Sequence, residues 1–336
     1  MKKFLLISTG GTIVCGQGSE SLSPVYSSKD LINNMGLKSN TKMPYKIDTK
    51  DIMHIDSSDM QPQDWQFIAE QVRDALLNYD GVIITHGTDT MAYTSSILSF
   101  MLKNLKKPVV ITGSQKPFGA KNSDAEKNIK DAILTLNSKV KGVYVVFNGK
   151  IILGCRAYKT SSYNLDAYDS MNYPLVGRIK NNQVLITHYG RLETEDLFYL
   201  DNHIQSNVFL LKLFPGINPV IIDKVIELGY KGVIIEGFGS GNVPSIKPSV
   251  LDKIVEILGK QIPIVLTTQC IYDGVKINTY YSGAMAEKMG VISAYDMTKE
   301  ATLTKFMWAL SHSTDLASVK KIMHSNLCNE ISLSCE

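Results

Sequence analysis

Two tryptophans, five cysteines and six histidines are few for a chain of 336 residues, and they are scattered. Cys15, Cys155, Cys270, Cys328 and Cys335 are odd in number and contain no C-x-x-C pair. That pattern argues against a disulfide-stapled secreted scaffold and predicts free thiols in a reducing compartment, the cytoplasm. The histidines show no H-E-x-x-H spacing, so no metal is expected. Long apolar runs are missing as well: nothing approaches the roughly 18 residues of a membrane span. Met1-Lys2-Lys3 before Phe4-Leu5-Leu6-Ile7 imitates the start of a secretory signal, but the stretch is too short for one and runs straight into Ser8-Thr9-Gly10-Gly11-Thr12. A buried first strand is the expectation there. Charge of one sign is also lacking, since the net charge is only +3 and no basic tract is concentrated, so neither a nucleic-acid nor a membrane partner is expected.

What is present is ordinary globular material, 44% hydrophobic and 20% charged, with no low-complexity segment. The length exceeds what one core usually supports, which favours two domains. Apolar runs that begin after Gly or Pro recur: Gly81-Val-Ile-Ile-Thr-His86, Pro108-Val-Val-Ile-Thr-Gly113, Gly142-Val-Tyr-Val-Val-Phe147, Gly232-Val-Ile-Ile-Glu236 and Ile262-Pro-Ile-Val-Leu-Thr267. Such continuous runs suit parallel strands covered on both faces. Between them, Trp65, Ile68, Ala69, Val72 and Leu76 repeat at helical spacing, and Ser123-Asp-Ala-Glu126 predicts a capping box. The fold class expected is therefore α/β: a larger N-terminal doubly wound, mainly parallel sheet domain over 1–190, a linker at 191–207 and a smaller C-terminal α/β domain over 208–336. In such sheets ligands bind beyond the carboxyl ends of the strands.

Three segments lie at those ends. In Ser8-Thr-Gly-Gly-Thr-Ile13 the diglycine permits a sharp turn that exposes Thr12, although an ordinary strand-to-loop turn has the same sequence. A nucleotide loop is excluded there: Gly11 and Gly16 have the Walker spacing, but Gln17-Gly18 stands where Lys-Ser/Thr is required. In His86-Gly-Thr-Asp-Thr-Met91, Thr88 and Asp89 leave the sheet together; Asp89 is either a helix cap or a site carboxylate, and His86 is expected to pack at the strand end. In Arg156-Ala-Tyr-Lys159, Lys159 is either solvated or a base drawn into a crevice.

Together these motifs resemble the bacterial-type L-asparaginases, and the type I cytosolic branch in particular. The resemblance runs from Phe4 to about Asn329 and includes TGGTI at 9–13, DSSDM at 56–60, HGTDTMAYT at 86–94, TGSQ at 112–115, Lys159, GSGN at 239–242 and DMTKEATLTK at 296–305. It implies hydrolysis of L-asparagine to L-aspartate and ammonia, with weaker action on L-glutamine, through an acyl-enzyme on Thr12 and without a cofactor. It further implies a polar triad of Thr88, Asp89 and Lys159, an oxyanion hole near Thr88 and Ser114, and substrate-carboxylate binding at Ser57 and Ser58. Asn242 is implied to line a neighbouring subunit's site, which makes the protein a homodimer or homotetramer.

The chain departs from the family pattern in two places. The loop after TGGTI, rich in Gly and Ser and suited to a lid, carries Leu22 where a tyrosine is usual, with Tyr26 farther along, so Tyr280 from a second subunit is expected to supply the activating phenol. The positions matching the allosteric site of some relatives are Tyr158, Glu236 and Cys270, where only the cysteine is retained, which predicts hyperbolic kinetics. The glutamine-hydrolysing subunit that feeds ammonia to transfer-RNA-bound substrates shares the core but has an additional N-terminal domain, for which a first strand at Lys2 or Lys3 leaves no expectation. A catalytically silent amino-acid sensor is the rival from another class; two hydroxyls and a lysine around one amide argue against it.

Overall fold

The computed structural model describes residues 1–17, 22–37, 44–188, 195–279 and 281–332. Two compact units divide the chain, Met1–Asn202 and His203–Glu336, so the division falls inside the segment 191–207. Part of that segment is regular: Tyr199–Leu200 pairs antiparallel with Leu102–Lys103 within the first unit.

Phe4 to Gly10 are buried without alternation, as a strand covered on both faces must be. This strand, Lys2–Gly10, lies inside an eight-stranded sheet ordered Gln183–Ile186, Gly177–Lys180, Lys150–Leu153, Gly142–Phe147, Pro108–Thr112, Gly81–Thr85, Lys2–Gly10, Tyr45–Ile55. The five strands from Tyr45–Ile55 to Gly142–Phe147 are parallel and the remaining three antiparallel. All five residues of Gly81–Thr85 and of Pro108–Thr112 are buried, as strands packed on both faces are. Helix Pro62–Asn78 buries Trp65, Ile68, Ala69, Val72 and Leu76, the stripe its periodicity predicts. Because the first strand sits between the second and third, the order reverses between Lys2–Gly10 and Gly81–Thr85. At such a switch point the following loops leave in opposite directions and open a crevice.

The second unit holds the parallel strands Val208–Lys212, Gly232–Gly237, Ile264–Thr268 and Ile292–Ser293 in that order. Leu213, Ile235, Ile254, Ile264 and Leu266 are among its core residues. Lys305 and Glu330 are wholly buried and paired at 2.5 Å; Lys305 Nζ also donates to the carbonyls of Met323 and Ser325, and Glu330 accepts from the Leu327 and Cys328 amides. Full satisfaction is what makes a buried ion pair tolerable. No helix among the described residues is long and apolar enough to cross a membrane.

Candidate active site

Thr12 opens a single 3-10 turn directly after the first strand, and Gly11 creates the turn with φ 80° and ψ 177°, a conformation essentially restricted to glycine. A side chain at Gly11 would also come within 2.4 Å of Gly87 Cα and N, and one at Gly87 within 2.5 Å of Ser57 Oγ. Three chain segments therefore meet at two bare glycines. Thr12 and Thr88 are each the residue after one of these glycines, at the switch point.

Thr88 is 7% exposed and held from three directions. Its hydroxyl accepts from Lys159 Nζ at 2.8 Å and donates to Gln115 Oε1 at 3.1 Å, while its carbonyl accepts from the Tyr168 hydroxyl. Lys159 Nζ also lies 2.5 Å from Asp89 Oδ1, forming the expected triad. Asp89 is not a helix cap: Thr90 occupies the N-cap position of helix Met91–Met101. The lysine side chain is 19% exposed and the carboxylate 64%, so the amine end lies beneath a carboxylate that faces solvent. That arrangement can move a proton between a hydroxyl and an amine while offering charge to a ligand's ammonium group.

Lys159 and Tyr168 are direct partners in the antiparallel pair Ala157–Lys159 with Tyr168–Ser170, and directly opposed residues share a face. The two side chains thus grip Thr88 together, Lys159 at the hydroxyl and Tyr168 at the backbone. Sequence reasoning misses Tyr168, because the Ser-, Asn- and Asp-rich stretch 160–167 reads as a loop without saying that the strand after it pairs back on Lys159.

Ser57 belongs to the wall behind the triad, its Oγ accepting from the Asp89 amide at 3.2 Å and its carbonyl accepting from Thr90 Oγ1 at 2.6 Å. Ser58 is exposed and donates from both amide and hydroxyl to Asp56 Oδ1, each at 2.8 Å. Ser114 is buried and its hydroxyl donates to the Lys116 carbonyl at 2.5 Å, inside the turn after Pro108–Thr112. That turn is pinned by Asp124, whose carboxylate accepts from the Gln115 and Lys116 amides at 3.0 Å each. The capping box predicted at Ser123–Glu126 is corrected accordingly: Asp124 stands at the N-cap of helix Ala125–Asn137 without a side-chain cap bond, because its oxygens are committed to the turn and to Asn128 Nδ2. Ser123 Oγ supplies the cap instead, to the Ala125 amide.

His86 is fully buried. Its Nδ1 lies 2.7 Å from the Gly87 carbonyl, which can only accept, so Nδ1 carries the proton and Nε2 accepts from Thr94 Oγ1 at 2.9 Å. Burial holds its pKa down at about 4, and the neutral ring buttresses Gly87.

Asn242 lies in the second unit, where its Oδ1 accepts from Ser282 Oγ at 3.4 Å and its backbone bridges Phe238. Tyr280 and residues 18–21 of the loop expected to form a lid lie outside the described residues. Flanking residues 18–21, Cys15–Gln17 pairs antiparallel with Leu22–Pro24. Tyr26 packs edge-on against Phe118 in the first unit, ring centroids 5.6 Å apart. Among the described residues no group of three or more His, Cys, Asp or Glu is placed to hold a metal ion.

Residues 3–190 match the family described as asparaginase, N-terminal, and residues 207–323 match the glutaminase/asparaginase C-terminal domain. The L-asparaginase of Thermococcus kodakarensis is 41% identical over 330 residues, 98% of this chain and 99% of that protein. The solved structure of the thermostable L-asparaginase from the same organism superposes with a TM-score of 0.93 at 40% identity, covering 98% of this chain and 99% of the other. L-asparaginase I of Vibrio cholerae superposes at 0.86 with 29% identity, covering 99% of both chains. The glutamyl-tRNA(Gln) amidotransferase of Pyrococcus abyssi has one subunit that is 34% identical over 342 residues, 97% of this chain and 76% of that protein. With both domains matched in order and a relative aligned over nearly its whole length, this chain belongs to the asparaginase family.

Proposed function

We propose that this protein is a cytoplasmic amidohydrolase that converts L-asparagine and water to L-aspartate and ammonia. The observation that carries this reading is the cluster of Lys159, Thr88 and Asp89, joined by bonds of 2.8 and 2.5 Å, with Thr88 following Gly87 where it meets Gly11, the residue before Thr12. Thr12 Oγ attacks the side-chain carboxamide carbon, its proton passing to Thr88 as Thr88 passes its own to Lys159 Nζ. Asp89 stabilises the resulting ammonium. The C–N bond breaks, ammonia leaves with a returned proton, and an ester remains on Thr12. Water then attacks that ester over the same relay and releases aspartate. Splitting the reaction lowers each barrier relative to direct attack of water on a resonance-stabilised amide.

The amides of Thr88 and Ser114, at the carboxyl ends of adjacent strands, supply the oxyanion hole, where one donor is typically worth about 3 to 4 kcal/mol. Asp89 faces the substrate ammonium, and Ser57 and Ser58 face its carboxylate. L-glutamine is a weaker substrate, since rejecting one methylene yields only about 1 to 3 kcal/mol. In this reading the protein is a homodimer or homotetramer in which Asn242 and Tyr280 serve a neighbouring subunit's site; the family resemblance supports that arrangement.

The test is ammonia release from L-asparagine, L-glutamine and D-asparagine by the purified protein and by Thr12→Ala. Rapid release from L-asparagine that disappears in the variant is expected; no release from either L-amide by the parent protein rejects the reading.

A further inference from the structure

Gln115 closes the TGSQ motif, and the proton relay from Thr12 through Thr88 to Lys159 gives it no task. Its side chain is nonetheless wired at both ends. Nε2 donates to the Asn164 carbonyl at 3.2 Å and the Ser161 carbonyl at 3.4 Å, which fixes the amide so that Oε1 is the end presented to Thr88. The backbone behind it is held by Asp124, which accepts from the Gln115 and Lys116 amides. The Thr88 hydroxyl has one proton. With Lys159 Nζ donating to it, that proton is directed to Oε1 of Gln115 at 3.1 Å.

We propose that Gln115 is a positioning residue of the proton relay: it accepts a hydrogen bond from the Thr88 hydroxyl whenever Lys159 is an ammonium. This inference rests on the reaction proposed for Thr12. As Thr12 or water attacks, Thr88 gains the attacker's proton and loses its own to Lys159, so protons balance and Thr88 remains a hydroxyl. In that state Lys159 donates to Thr88 and Thr88 requires an acceptor of its own. Gln115 Oε1 is that acceptor. The directed chain Lys159 → Thr88 → Gln115 is the arrangement that follows proton transfer, and both half-reactions pass through it. A methionine of similar length offers only a weak thioether acceptor in place of the amide oxygen. A glutamate keeps an oxygen toward Thr88 and, like methionine, lacks the donors to the 161–164 carbonyls. The two substitutions therefore separate the relay role from simple anchoring of that loop.

The experiment measures kcat and KM for L-asparagine in the full-length wild-type protein, Gln115→Met and Gln115→Glu, with thermal midpoints to establish that each variant is folded. Loss of one acceptor bond in the relay predicts about a tenfold fall in kcat for Gln115→Met, with KM within about twofold of wild type, since tenfold is about 1.4 kcal/mol, within the range of a net hydrogen bond. Gln115→Glu is expected to recover kcat to within about threefold of wild type. Equal slowing of both variants, or a rise in KM at unchanged kcat, makes Gln115 a loop anchor and overturns the proposal, as does full activity in Gln115→Met. Absence of ammonia release by the wild-type protein fails the proposed reaction itself, a different result from an active wild type with indifferent Gln115 variants.

Discussion

Gly11→Ala subjects the switch-point geometry to its most severe test. The new methyl group would sit 2.4 Å from Gly87 Cα and 3.0 Å from the His86 carbonyl carbon, both backbone atoms that no rotamer change can move. An ordinary separation of about 3.5 Å requires the Thr12 turn and the Gly87 segment to part by roughly 1 Å. The backbone at φ 80° and ψ 177° adds strain of order 1 to 3 kcal/mol for any residue with a Cβ. In the proposed reaction, a displacement of that size between Thr12 and Thr88 costs about a hundredfold in rate. Both units keep their cores, so the expected result is kcat for ammonia release reduced about a hundredfold, with the thermal midpoint lowered by several degrees and far-ultraviolet circular dichroism unchanged. A Gly11→Ala protein with wild-type kcat and midpoint would refute the claim that the close approach of Gly11 and Gly87 fixes the turn that carries Thr12.

Lys159→Met should reduce kcat by about 10² to 10⁴, the usual range for a lost acid–base group, with a smaller change in KM; steady-state rates at saturating L-asparagine decide it. Glu300 provides a pH signature: burial raises its pKa to about 7 and its Oε2 is buried without a hydrogen-bond partner. The folded state therefore binds the extra proton between the ordinary carboxyl value and about 7, and stability falls as pH rises through that window, by at most about 3 kcal/mol. Gln at this position has no proton to lose, so the midpoint of Glu300→Gln minus that of wild type should grow from pH 5 to pH 8 in calorimetry; a difference independent of pH contradicts the assignment. With Tyr158 and Glu236 at two of the three positions matched to an allosteric site, the rate against L-asparagine concentration should be hyperbolic, and a sigmoidal curve would show that effector binding survives those changes.

Much of the fold is legible because burial on both faces leaves continuous apolar runs, and Gly81–Thr85, Pro108–Thr112, Gly142–Phe147, Gly232–Gly237 and Ile264–Thr268 are all strands. The site segments are legible because they follow strand ends directly. Bringing Lys159 to Thr88, 71 residues away, requires the family resemblance, since neither the length nor the path of the connection is written in a local pattern. Asp124 resembles part of a helix cap because Ser-x-x-Glu is a local signal, whereas its actual partners, the amides of Gln115 and Lys116, come from tertiary packing. Tyr168 and the side-chain role of Gln115 escape sequence reading for the same cause: a phenol gripping a carbonyl and an amide oxygen facing a hydroxyl depend on a pairing and a turn that no short motif marks.

A covalent ester on Thr12 is the step on which the proposed reaction depends, and it is measured by mass spectrometry of the protein acid-quenched during turnover of L-asparagine, followed by peptide mapping. An aspartyl adduct on the peptide carrying Thr12, absent from Thr12→Ala, is the predicted result. Steady ammonia release by Thr12→Ala, or an adduct that maps to another residue, would contradict it.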